Sequence, residues 1–112
     1  LYLDSARRND DYIRRLWETI QAMPTCQNRT ALIITTDHGR GDDRISWRSH
    51  GKDIEGCDRI WAAVLSPGIA ANSPVAGRFT QSQIAATLAD LLGYDYTSEV
   101  PQAGPGLPLK RR

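Results

Sequence analysis

Residues 30–39 have the sequence Thr-Ala-Leu-Ile-Ile-Thr-Thr-Asp-His-Gly, in which an uninterrupted apolar run leads into two polar residues. Residues 31–34 show no alternation of polar and apolar side chains, which is typical of a strand buried on both faces of a parallel sheet. Such sheets carry their chemistry at the carboxyl ends of the strands. Asp37 and His38 follow the strand directly, and Gly39 allows the backbone to turn away from them. The stretch predicts an α/β fold with a candidate metal site at a strand end.

Two further elements are predicted on either side of this strand, which we place at residues 30–36. Apolar residues recur at helical spacing up to Pro24, and this pattern predicts an amphipathic helix over about residues 5–23. Residues 60–65, Ile-Trp-Ala-Ala-Val-Leu, form a second apolar run closed by Ser-Pro-Gly. We interpret this run as another strand of the sheet, with Trp61 in the core.

The last third of the chain predicts one helix and a tail. Thr80 and Gln83 have the spacing of a capping box, an apolar face follows them, and Gly93 stands where a helix C-terminus favours glycine. From residue 94 onward, prolines and glycines break the pattern, and the end is basic. Residues 94–112 are therefore expected to form a surface tail or a loosely held extension.

Composition narrows the classes of function. The 112 residues have a net charge of +1, and the arginines are scattered among acids, so a nucleic-acid partner has little support. No window approaches the roughly 20 apolar residues of a membrane span. The chain starts without Met or a signal peptide, and we expect it to begin within a longer protein. Cys26 and Cys57 could be two thiols or one disulfide, which leaves the cellular compartment open.

The loop between the two strands contains a third metal-type ligand. This loop, about twenty residues long, exceeds the usual connection and is expected to be functional or disordered. His50 lies in it, within Trp-Arg-Ser-His-Gly (residues 47–51). Arg40, Arg44 and Arg48 lie in the same loop and could bind an oxyanion in a bidentate manner, and Trp47 could line a substrate pocket.

Four motifs occur in a fixed order along the chain. They are Thr-Thr-Asp-His-Gly (35–39), Ser-His-Gly (49–51), Arg-Ile-Trp-Ala-Ala-Val-Leu-Ser-Pro-Gly-Ile (59–69) and Thr-Gln-Ser-Gln-Ile-Ala-Ala-Thr-Leu-Ala-Asp-Leu-Leu-Gly (80–93). In combination they resemble the carboxy-terminal part of the alkaline phosphatase superfamily, which includes nucleotide pyrophosphatases, phosphodiesterases, cofactor-independent phosphoglycerate mutases and sulfatases. The resemblance implies that residues 1–93 form part of a sandwich with a mostly parallel central sheet and flanking helices.

The resemblance also implies roles for the three ligands. Asp37 and His38 match the adjacent pair that binds the metal next to the nucleophile, and His50 matches the histidine that completes a second metal site. A carboxylate with neutral imidazoles favours zinc or manganese over calcium. Two such ions would clamp the attacking and leaving oxygens of an in-line displacement. The implied activity is hydrolysis of phosphate mono- or diesters, in a small molecule or a polymer.

Parts of the family pattern do not occur in this chain. The nucleophile and the Asp-x-x-x-His of the second site would precede Leu1, so we expect the parent protein to be the enzyme and this chain alone to be inactive. One alternative is a sulfatase or phosphonate hydrolase with one metal, although His38 in place of asparagine favours phosphoryl transfer. The other is a non-catalytic relative that acts as a binding module.

Overall fold

The computed structural model describes all 112 residues, Leu1–Arg112, and they form two compact units. Unit 1 comprises Leu1–Pro67 and unit 2 comprises Gly68–Arg112. Unit 1 contains helix α1 (Tyr2–Ala22) and strands β1 (Leu32–Thr35) and β2 (Ala62–Leu65). Unit 2 contains helices α2 (Gln83–Leu92) and α3 (Tyr96–Glu99) and a 3₁₀ turn (Pro101–Ala103).

Helix α1 is the amphipathic helix that the sequence predicts. It ends where Met23 adopts an extended conformation, with φ −87° and ψ 117°, because a residue before proline is disfavoured in the helical region. None of its residues is buried: Tyr12 is 61% exposed and Leu16 is 50% exposed. None of the helices, α1 included, combines the length and the apolar character needed to cross a membrane.

Strands β1 and β2 are the two predicted strands, and they pair with each other. The pairing is antiparallel, with a register that runs from Leu32 opposite Leu65 to Thr35 opposite Ala62. The apolar run had indicated a parallel partner and burial on both faces, whereas β1 has an antiparallel partner and its residues are only partly buried or exposed. Apolar runs do not specify strand direction by themselves. The larger, mostly parallel sheet stays a prediction.

Trp61 is not the core residue that its apolar run predicts. Its side chain is 54% exposed, because it precedes β2 and lies outside the last paired position, Thr35 with Ala62. It therefore has no cross-strand neighbour in the ladder. Its backbone carbonyl accepts a hydrogen bond from Thr35 Oγ1 at 2.8 Å, which fastens the end of β1 to the residue before β2.

Helix α2 ends with the predicted signal, whereas at its start only part of the predicted capping box forms, because the N-cap residue is Ser82 and its side chain makes no capping hydrogen bond. The Gln83 side chain accepts a hydrogen bond from the Thr80 backbone N–H at 3.0 Å, which is one half of a capping box. Gly93 adopts the left-handed conformation, with φ 83°, where other residues are strained. The Tyr94 N–H then donates to the Ala89 carbonyl at 2.9 Å and closes the helix end.

Residues 94–112 are attached to unit 2 more extensively than their composition indicates. The Leu107 N–H donates to Thr87 Oγ1 at 2.8 Å, and the Ala70 N–H donates to the Lys110 carbonyl at 2.8 Å. Thr87 and its neighbour Ala86 are each 1% exposed, which makes them the most deeply buried side chains of the chain. The small core of unit 2 therefore forms where this segment meets α2.

Candidate metal centre and its loop

The three predicted ligands lie on one loop, residues 36–61, which we call the site loop. Because β1 and β2 are antiparallel neighbours, the site loop leaves and re-enters the sheet at the same end. Two backbone hydrogen bonds cross it: the Gly39 N–H donates to the Cys57 carbonyl at 2.8 Å, and the Gly41 N–H donates to the Ser49 carbonyl at 3.1 Å. The residues that follow β1 are thus held against distant parts of the same loop.

Position 39 requires glycine because a side chain would not fit there, and not because the backbone adopts a left-handed conformation. A Cβ atom at this position would collide with the Gly56 carbonyl oxygen, and it would lie 2.9 Å from the Arg59 carbonyl oxygen and 3.2 Å from the Cys57 carbonyl carbon. The φ angle of Gly39 is not in the left-handed region. The backbone after His38 therefore packs directly on the backbone before β2. This contact fixes the position of the chain next to Asp37 and His38.

Charged side chains strengthen the same part of the site loop. Arg59 bridges two carboxylates, Asp42 at 2.5 Å and Glu55 at 3.4 Å. Asp43 accepts hydrogen bonds from the Ser46 backbone N–H at 2.7 Å and from the Ser46 hydroxyl at 2.8 Å. These bonds from Ser46 hold the pKa of the Asp43 carboxyl below its ordinary value. The ion pairs of Arg59 and the hydrogen bonds of Asp43 stabilise the loop, but they place no carboxylate next to His38.

Asp37 and His38 form a pair of ligand atoms at the carboxyl end of β1. His38 Nε2 lies 3.4 Å from Asp37 Oδ2, while Asp37 Oδ1 accepts the His38 backbone N–H at 2.9 Å. His38 Nδ1 lies 2.6 Å from the Gly39 carbonyl oxygen. A carbonyl oxygen only accepts, so this contact is a hydrogen bond from the ring when Nδ1 carries a proton.

His50 joins this pair through its ring. The imidazoles of His38 and His50 are stacked, with centroids 4.3 Å apart and planes inclined by 12°. The lone pair of an imidazole nitrogen lies in the plane of its ring. Two nearly parallel planes do not meet near the rings, so in this arrangement His38 and His50 cannot both bind the same ion.

Two of the predicted oxyanion residues, Arg40 and Arg48, lie near the same aromatic side chain. The guanidinium carbon of Arg48 lies 4.5 Å from the Trp47 ring centroid, and that of Arg40 lies 5.8 Å from it. Arg40 also lies over the ring of Tyr2, at 4.1 Å. Tyr2 belongs to α1, far away in sequence, and no sequence signal connects it to the loop.

The two cysteines are free thiols in the structure, which removes the disulfide alternative for this conformation. The Cys57 thiol lies 3.9 Å from the Ser49 carbonyl oxygen.

The structure thus places Asp37 next to His38 and His38 against His50, but no three or more His, Cys, Asp or Glu side chains form a group that could hold a metal ion. An ion at these residues would need further ligands. Comparisons with protein-family models, with curated proteins and with solved structures gave no significant match. A functional assignment therefore rests on the geometry and chemistry of the site loop itself.

Proposed function

We propose that this chain is the carboxy-terminal segment of the catalytic domain of a metal-dependent phosphate-ester hydrolase of the alkaline phosphatase type. Asp37, His38 and His50 serve as metal ligands. The observation that carries the proposal is the 3.4 Å separation between His38 Nε2 and Asp37 Oδ2, together with the contact of His38 Nδ1 with the Gly39 carbonyl oxygen. Both atoms are of the kinds that bind zinc, and their spacing allows one cation to bind both of them.

The spacing of this pair fits a tetrahedral ion. Bonds of about 2.0–2.2 Å at tetrahedral angles place two ligand atoms of one zinc about 3.3–3.6 Å apart, and the observed separation is 3.4 Å. The hydrogen bond from Nδ1 to the Gly39 carbonyl fits as well, because a histidine ligand usually donates its other ring N–H to a carbonyl or carboxylate that orients it. The spacing therefore suits zinc, and the combination of carboxylate and imidazole ligands also admits manganese.

The stacked rings favour two ions over one. Since the two imidazole planes are nearly parallel, His50 would bind an ion distinct from the one that Asp37 and His38 bind. When bound, such ions polarise a phosphoryl group and activate the attacking oxygen.

The residues of this chain would hold and orient the ions, while the attacking group is supplied from outside it. Asp37 and His38 are held by β1 and by the Gly39 backbone contact, and His50 is held by its stacking on His38. The side chains of His38 and Asp37 are 44% and 86% exposed, respectively, so both are accessible to an ion and to further ligands. We infer that this chain alone binds metal without turning over substrate.

Zinc binding by the 112-residue chain tests the proposal. Isothermal titration calorimetry should show that His38→Ala and His50→Ala each lower the apparent affinity for zinc by about tenfold or more, since each removes a direct ligand. Asp53→Asn is the matched control, because this loop carboxylate is exposed and has no role in the proposed site. In the parent protein, His38→Ala and His50→Ala should also remove most hydrolysis of p-nitrophenyl phosphate.

Two results would contradict the proposal. The first is an unchanged zinc affinity in both histidine variants, and the second is a loss in Asp53→Asn as large as theirs. Circular dichroism of each variant separates a lost ligand from a lost fold.

A further inference from the structure

We propose that a cavity in unit 2 binds a small zwitterionic α-amino acid, with the ammonium group on Asp90 and the carboxylate group on Arg111. The cavity lies between α2 and the last residues of the chain, 105–112, which we call the end segment. Every residue that lines it belongs to unit 2. The inference therefore goes beyond the proposed function and does not depend on the metal site, since no residue of the site loop takes part.

One wall of the cavity is a single face of α2. Thr87, Asp90 and Leu91 line it, and their spacing of i, i+3 and i+4 places them next to one another on the helix surface. Thr87 closes the inner end of this wall, because it is 1% exposed and its hydroxyl accepts the Leu107 N–H at 2.8 Å. Asp90, one turn further along, is exposed at the mouth.

The other wall is the end segment. Leu107, Leu109 and Arg111 occupy alternate positions, and all three line the cavity, as expected where alternate side chains of an extended chain point to the same side. The segment is fixed beyond the cavity as well, because the Ala70 N–H donates to the Lys110 carbonyl at 2.8 Å. Both walls are thus held by hydrogen bonds, and the space between them is a defined feature of unit 2.

The lining carries one acid and one base that do not pair. Asp90 and Arg111 are its only charged residues, and neither side chain forms an ion pair or a hydrogen bond within the chain. By contrast, the acids of α1 are paired, as Asp11 is with Arg15 at 2.7 Å. A Cβ at Gly106 would overlap Asp90 Oδ2, so this carboxylate lies against the backbone of the end segment. The cavity therefore presents one negative and one positive group to a ligand.

The two charges indicate the class of ligand. A simple anion would bind Arg111 but would be repelled by Asp90, and a simple cation would meet the reverse situation. A zwitterion forms charge-assisted hydrogen bonds with both. Its ammonium group has three donors for the Asp90 carboxylate, and its carboxylate matches the planar fork of the Arg111 guanidinium.

The size and the apolar part of the lining narrow this class further. The cavity volume is about 170 Å³, and a cavity of about 150 Å³ holds benzene, which has six non-hydrogen atoms. Leu91, Leu107 and Leu109 supply an apolar surface beside the charged groups, which suits an aliphatic side chain. A small aliphatic amino acid such as valine, with its two charges on one carbon and a branched side chain, has these features.

Nuclear magnetic resonance titrations of the 112-residue chain at pH 7 test the site. The ligands are L-valine, isobutylamine, which is valine without its carboxylate, and isovalerate, which is valine without its ammonium group. The readout is the backbone amide resonances of Leu107 and Arg111, with the resonances of unit 1 as the internal reference. Valine should bind saturably and about tenfold more tightly than either analogue, which is the effect of one additional charge-assisted hydrogen bond.

Variants assign each end of the ligand to its partner. Asp90→Asn should remove most of the preference for valine over isovalerate, and Arg111→Gln should remove most of the preference for valine over isobutylamine. Arg112→Gln is the matched control, because this neighbouring arginine does not line the cavity, and it should keep both preferences. A purely structural effect of either substitution would weaken all three ligands alike.

Three results would overturn the proposal. They are the absence of saturable shifts with valine, equal binding of the three ligands, and preferences that survive in both Asp90→Asn and Arg111→Gln. The comparison of the three ligands uses the unaltered chain, so it decides the question even if a variant fails to fold.

Discussion

Gly39→Ala tests whether the backbone contact next to His38 positions the metal-type ligands. The added methyl group would collide with the Gly56 carbonyl oxygen and approach the Arg59 carbonyl oxygen to 2.9 Å and the Cys57 carbonyl carbon to 3.2 Å. All three are backbone atoms, so no side-chain rotation relieves the overlap. Overpacking of this kind costs about 1–3 kcal/mol. We expect the free energy of unfolding to fall by that amount, and zinc affinity to fall with it as residues 37–39 move.

Urea unfolding followed by tryptophan fluorescence measures the first effect, and zinc calorimetry measures the second. A lower midpoint at an unchanged slope indicates a loss of stability rather than a change in the unfolded state. Gly68→Ala is the control, because a Cβ at Gly68 has no atom within 4 Å and should change stability by less than about 1 kcal/mol. If Gly39→Ala matches Gly68→Ala in midpoint and keeps full zinc affinity, the close contact does not position the site.

Two further predictions concern side chains that organise the loop and the small core. Thr87→Val should destabilise the chain by about 1–3 kcal/mol, because Thr87 is 1% exposed and the Leu107 N–H would lose its acceptor. In urea unfolding, the control variant Thr87→Ser should retain most of the stability. Equal losses of stability in the two variants would contradict this prediction. The Asp43 carboxyl should titrate below its ordinary pKa of 3.8, so its stabilising effect is present above that value and is lost as the pH falls through the lower, folded-state pKa. Carbon-detected NMR should show this midpoint rising toward 3.8 in Ser46→Ala, and an unchanged midpoint would rule out the hydroxyl as a cause.

The regular elements could be located from the sequence because local signals determine them. Helix α1 follows an apolar pattern of helical period that stops before Pro24, and α2 lies between the Thr80–Gln83 pair and Gly93. Both strands coincide with apolar runs. Burial was less predictable, since Trp61 is exposed although its neighbours are apolar. An apolar run shows that both faces of a strand can be buried. The partner strands determine how much of each face is buried.

The arrangement of the site loop depends on contacts between residues distant in sequence, which local patterns do not encode. Residue type and the resemblance predict Asp37, His38 and His50 as ligands, but no pattern predicts that the two histidine rings stack. The attachment of Arg40 to Tyr2 is equally invisible, because it joins the first helix to the loop. Glycine at position 39 was expected to permit a turn, and its small size turns out to permit close backbone packing.

The antiparallel pairing of β1 and β2 gives the site loop freedom in length. Both ends of the loop leave the sheet next to each other, so a short loop or a long loop can connect them. Doubling the length of a flexible loop adds only about 0.6 kcal/mol of closure entropy. An insertion after His50 and before Cys57 would leave the Gly39–Cys57 and Gly41–Ser49 hydrogen bonds at their own positions. That stretch is therefore where related chains could acquire a lid or a recognition segment without rebuilding the ligand positions.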